Sequence, residues 1–178
     1  MTEQPIIIVD RDEIVNRYGL KLLRARSVIR YAKEKQLHAY IPIIKKNRDK
    51  VTQVVFVKAD LYKAALGGDE FAIAKLLYHW FKLNMGRYRV NNNGTYKFTY
   101  LEMRRVLHDV FRIDLSRYGR GYGAKISRVV RHLVHLIEND KDMEITDVVR
   151  RMYSGRNRGA LILYTNHHNN HGGDTDGM

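Results

Sequence analysis

Cysteine is absent from the 178 residues, which removes disulfides, thiolate zinc sites and cysteine nucleophiles. Acid is scarce: 19 Asp and Glu face 32 Lys and Arg, leaving a formal charge of +13 and a pI near 10.0. No apolar run approaches the length of a membrane span. Met1–Asp10 has only the short run Ile6–Val9 and no basic start, so it does not read as a signal peptide. Such a chain is expected in the cytoplasm, at a nucleoid or packaged in a particle such as a virion. The cationic excess implies a polyanionic partner. Nucleic acid suits it better than a membrane surface, because no helix pairs its basic face with an apolar one expected to be exposed.

The charge gathers on particular elements, Thr99–Ile137 among them. Thr99 with Glu102 reads as a reciprocal helix cap, and Leu101, Val106, Val110 and Phe111 mark an apolar side. Ser116–Gly123 follows as Ser-Arg-Tyr-Gly-Arg-Gly-Tyr-Gly, too glycine-rich to stay helical. The spacing of Ile126, Val130, Leu133 and Ile137 then predicts a second helix over Ala124–Ile137 with one buried stripe. Lys125, Arg128, Arg131, His132 and His135 are assigned to its opposite side, as a recognition helix would present them.

In the first half, Ile6–Val9 reads as a strand and Glu13–Tyr18 as a short helix ending at Gly19. Arg24–Gln36 reads as a second helix, with Val28, Ile29 and Ala32 as apolar contacts and Arg24, Arg26, Arg30, Lys33 and Lys35 as charge. Ala39–Ile44 and Val51–Val57 flank the polar tip Lys-Lys-Asn-Arg-Asp-Lys, which describes a β-hairpin with a cationic turn. Ala59–Leu66 is a closing helix before Gly67-Gly68. The run Ser27–Tyr40 and the later Lys58-Ala59-Asp60-Leu61 resemble the excisionase and MerR-type winged-helix DNA-binding domain. The likeness implies Ser27, Arg30, Tyr31 and Lys33 in a major groove and Lys45, Lys46, Arg48 and Lys50 on phosphates.

In the second half, Asp69–Asn84 is the most apolar helix, and its Trp80, the sole tryptophan, is expected in the core rather than as a stacking platform. Met85–Val90 and Thr95–Phe98 read as a hairpin around Asn91–Gly94. Val148–Tyr153 and Ala160–Tyr164 flank the basic tip Ser-Gly-Arg-Asn-Arg-Gly as a second wing, with Arg156 and Arg158 on phosphates; a short helix over Thr146–Tyr153 is the alternative. Arg117 and Arg120 are expected on phosphates as well. By element order alone, this half resembles the winged-helix superfamily.

The expected fold is therefore α+β: two tandem small winged-helix units, 1–66 and 69–165, mostly helical and joined by a short link that packs them together. Residues 166–178, with His167, His168 and His171, are expected to be a disordered tail rather than a metal site. No phosphate-cradling loop, carboxylate pair or nucleophile–base–orienter set is legible, so no enzyme, cofactor, metal or small-molecule substrate is expected. Double-stranded DNA is the expected partner, with Arg30 and Arg128 as guanine contacts and a homodimer as one possible state. The role would be that of a transcriptional regulator or a replication, partition or recombination accessory factor, of a virus or plasmid. A sequence-blind DNA-coating nucleoprotein and an RNA-binding protein are the alternatives.

Overall fold

β1 (Ile6–Asp10) opens a chain whose two halves repeat one arrangement: strand, helix, helix, strand, strand. The first set adds α1 (Arg11–Arg17), α2 (Ala25–Glu34), β2 (Tyr40–Asn47) and β3 (Lys50–Lys58). Helices α3 (Ala59–Leu66) and α4 (Glu70–Leu83) follow. The second set is β4 (Thr95–Thr99), α5 (Tyr100–Asp109), α6 (Tyr122–Glu138), β5 (Ile145–Met152) and β6 (Gly159–Thr165). In this computed structural model the described residues are 4–47, 50–116, 122–153 and 158–165, without the side chains of 46, 47, 122 and 123. The fold is α+β, and each set forms a three-stranded antiparallel sheet with the same order, β1-β3-β2 and β4-β6-β5. Among the described residues no helix is long and apolar enough to cross a membrane.

The central strand β3 explains the first layer structure. Its run Val54-Val55-Phe56-Val57 is wholly buried, and strand alternation sends successive side chains to opposite faces. Val54 and Phe56 pack with Val9, Ile14, Val28 and Tyr31, beneath α1 and α2. Val55 and Val57 join Ile6 and Ile43 in a larger core that runs through α3 and α4 into the second sheet, reaching Phe98, Leu161 and Leu163. The sheet is thus covered on both faces, and α4 lies in the core shared by both halves. Seven α4 residues are buried, including Trp80 and Phe81.

Local signals set the corner between α3 and α4. Gly68, at φ +95°, takes a conformation that β-carbon sterics deny to most residues. Gly68 N–H donates to Ala65 O and Asp69 N–H to Ala64 O, closing the end of α3. Asp69 at once caps α4, accepting from Phe71 N–H at 3.1 Å. The Thr99 cap of α5 also forms: its hydroxyl accepts from Glu102 N–H at 3.0 Å and donates to the Glu102 carboxylate at 2.8 Å.

Several expected elements differ. Met85–Val90 is not a strand; Met85–Tyr88 is a 3-10 turn, and only Arg89 bridges to Tyr96. Tyr88 turns inward, accepting from Trp80 Nε1 at 3.1 Å and packing on Phe98 at 4.6 Å between ring centres. Thr146–Tyr153 takes the strand form rather than the helical one, paired with β6. In α5, Leu101 is exposed, whereas Tyr100, Met103 and Leu107 are buried.

Gly159, expected in a loop tip, begins β6 instead. A β-carbon there would lie 2.8 Å from Tyr100 Cε2 and 3.0 Å from Arg151 O. Tyr100 is buried and its hydroxyl accepts from Arg150 Nε at 2.7 Å, so the ring has little room to retreat. Gly159→Ala should therefore destabilise by about 1–3 kcal/mol, seen as a lower denaturation midpoint.

His79, on α4 beside Tyr78, supplies a pH response. Burial, reinforced by the positive charges of Lys82 and Lys75, pushes its pKa down to about 4 from an ordinary 6.5. The folded state therefore binds fewer protons than the unfolded one between these values. The His79 contribution should be constant just above pH 6.5, and stability should fall as pH drops from 6.5 toward 4. In thermal melts across that range, His79→Gln should flatten this slope; an unchanged slope would assign it to other groups.

Candidate nucleic-acid interface

Helix α2 is amphipathic in the strict sense. Val28 and Tyr31 are buried, while Arg26, Ile29, Arg30 and Lys33 are exposed at i, i+3, i+4 and i+7, one outward arc. The backbone of Arg24 starts the helix, its carbonyl accepting from Ser27 and Val28 N–H. At that end a hollow is lined by Gly19, Lys21, Leu22, Arg24, Arg26 and Ser27. Arg24, Arg26 and Lys33 have no ion-pair partner among the described residues. Three cations in water without a counter-charge form a standing electrostatic invitation to an anion.

Two residues of α2 sit on the side opposite to the one expected. Tyr31 is core: its ring stacks on Phe56 at 6.1 Å, and its hydroxyl donates to Glu13 at 2.9 Å. Burial, with that hydrogen bond second, pushes the phenol up to about 12. Ile29, expected among the apolar contacts, is 53% exposed, because the sheet takes the Val28 and Tyr31 side of the helix. Arg30 does face outward, but its guanidinium lies 4.5 Å from the Tyr18 ring centre and Nε donates to Glu34 at 3.2 Å. Glu34 also accepts from Tyr18 at 2.8 Å and Arg17 at 2.9 Å. These hydrogen bonds, that of Tyr18 foremost, outweigh desolvation and hold its carboxyl below the usual range. Arg30 is thus pre-positioned rather than free.

The hairpin of β2 and β3 carries Lys50, exposed, in the strand pair next to its turn. Of Lys46 only the backbone is described, and Arg48 lies outside the described residues. Lys45 is not on the tip. Its ammonium sits 5.0 Å from the Trp80 ring centre, in the seam between the halves. Burial, then the charge of Arg87, lowers its pKa. Beside it Arg112 donates to Ile44 O at 3.0 Å, a second tie across the seam.

Helix α6 buries Ile126, Val130, Leu133 and Ile137 as the spacing predicts, and Val129 besides. Its expected cationic face is largely occupied. Lys125 is buried and donates to Gly68 O at 2.6 Å, while Arg128 Nε donates to Glu70 at 2.6 Å. His132 meets Phe71 edge-on, with ring centres 5.4 Å apart. All three turn toward the start of α4, because α6 packs along that helix. Arg131 and His135 remain exposed, as does Arg158 beside β6. Arg117, Arg120 and Arg156 lie outside the described residues, as does the tail 166–178.

Arg150 was not among the expected contacts. It bridges β5 to both helices of its set, donating to Tyr100 Oη at 2.7 Å and Ser127 Oγ at 2.7 Å. Its strand position, two residues from Val148 and Met152, is the only sequence signal that it points inward.

The carboxylates of Asp114 and Asp140 have structural partners. Asp114 accepts from Ser116 N–H at 2.9 Å, and Asp140 accepts from Lys82 at 2.8 Å and from Tyr78. Burial would raise the Asp140 carboxyl, but those hydrogen bonds win and hold it low. Among the described residues no group of three His, Asp or Glu side chains is placed to hold a metal. Comparison of the chain with protein-family models, with curated proteins and with solved structures finds no match.

Proposed function

We propose that the chain binds double-stranded DNA through two winged-helix units, with α2 as its principal reading helix. The observation that carries this is the outward arc of α2, where Arg26, Arg30 and Lys33 face solvent on a helix locked to its sheet by Val28 and Tyr31. An α-helix of this kind fits a major groove, its cations meeting phosphates and its central side chains reaching base edges. The repeated strand–helix–helix–hairpin order, with first–third–second sheets in both halves, supports the winged-helix reading, in which each hairpin lies against the backbone. The excess charge of +13 supplies the long-range attraction. Helix α6 is the weaker reader, since Lys125 and Arg128 are committed within the protein. The role that follows is a regulator of transcription or an accessory factor in replication, partition or recombination.

Competition at one fixed salt concentration tests the reading. A labelled duplex should be displaced by unlabelled duplex far better than by a single strand or structured RNA of equal length. Equal displacement by RNA would move the function to RNA.

A further inference from the structure

Resting on the DNA reading above, we propose that Ile29 is a specificity-determining residue that reads the C5-methyl group of a thymine. Ile29 is 53% exposed at the middle of the α2 arc, with Arg26 at i−3, Arg30 at i+1 and Lys33 at i+4. Scattered exposed apolar residues are ordinary on protein surfaces, but this position is poorly explained that way. Isoleucine is a weaker helix former than the lysine or arginine around it, so the exposed side chain adds nothing to helix stability. More than half of its surface stays in water. An apolar side chain ringed by cations needs a partner that is anionic at its edges and apolar at its centre.

A major groove offers that pattern. Phosphates border it on both sides, and the thymine methyl is its one apolar base-edge group. RNA does not, because uracil lacks the methyl and the A-form major groove is too narrow for side chains. A bilayer surface would call for a broad apolar face; here one aliphatic side chain stands among three cations, and the opposite side of the helix is spent on the sheet.

The experiment uses the full chain, a duplex selected for tight binding, and copies in which each thymine in turn is replaced by deoxyuridine, which deletes only the methyl. Affinities of the wild type, Ile29→Ala and Ile29→Gln are measured at one salt concentration, with circular dichroism melts to show that each variant is folded. At one position, loss of the methyl should weaken wild-type binding about fourfold, the value of one buried methyl-sized group. Ile29→Ala should bind the thymine duplex about as weakly and be indifferent to deoxyuridine there. Wild-type indifference at every position overturns the assignment, as does an Ile29→Ala variant that keeps the full methyl preference. If duplex still outcompetes RNA and single strands, those results sink the Ile29 assignment alone. If duplex has no such advantage, the DNA reading falls with it.

Discussion

A variant carrying Arg24→Ala, Arg26→Ala and Lys33→Ala should bind duplex DNA on the order of a hundredfold more weakly near physiological salt. The slope of log affinity against log salt should fall in magnitude by about 2–3, since each lost phosphate contact removes about 0.9. The three side chains are exposed and have no ion-pair partner among the described residues, so the fold should be nearly indifferent, within about 0.5 kcal/mol. The informative comparison is Lys125→Gln with Arg128→Gln. Those cations already hold Gly68 O and Glu70, so their loss should cost stability more than binding. If the α6 pair governs the salt slope and the α2 trio does not, the reading helix has been assigned to the wrong half.

Trp80→Ala should cost about 3–5 kcal/mol, the range for emptying a large aromatic from a core. The indole is 1% exposed, meets Phe111 edge-on at 6.2 Å and donates to Tyr88. It belongs to the core that joins the first sheet to the second. Both halves should therefore lose stability together, and chemical denaturation followed by far-ultraviolet circular dichroism should show one transition shifted to lower denaturant. Single-strand affinity of the folded fraction should not change. A stable Trp80→Ala protein that has lost single-strand binding would restore the stacking role that burial argues against.

The sequence made the elements legible wherever a short-range rule applies. The β-branched runs became strands, the Thr99 cap starts α5, and the stripe from Ile126 to Ile137 is buried. The side-chain partners of the interface were less legible, because they are long-range. Lys125 finds a carbonyl and Arg128 a carboxylate across α4, and no pattern within α6 announces either. Tyr31 and Ile29 exchanged roles for a similar reason. Both lie in a helix of mixed composition, and only the position of Phe56 on the sheet decides which side turns in. Met85–Tyr88 is a 3-10 turn rather than a strand, with Tyr88 turned in against Trp80 and Phe98, partners that no local pattern announces.

Charge that looked equal on α2 and α6 therefore proves unequal once its partners are placed, and this shifts the weight of the functional reading to the first half. The most direct measurement is selection of bound duplexes from a random pool, followed by footprinting of the winners. Recognition by α2 predicts an enriched motif, a bounded footprint, and loss of enrichment at the positions nearest α2 when its outward arc is altered. A pool that emerges unenriched, with long DNA saturated at regular spacing, would contradict it and leave a sequence-blind coating protein.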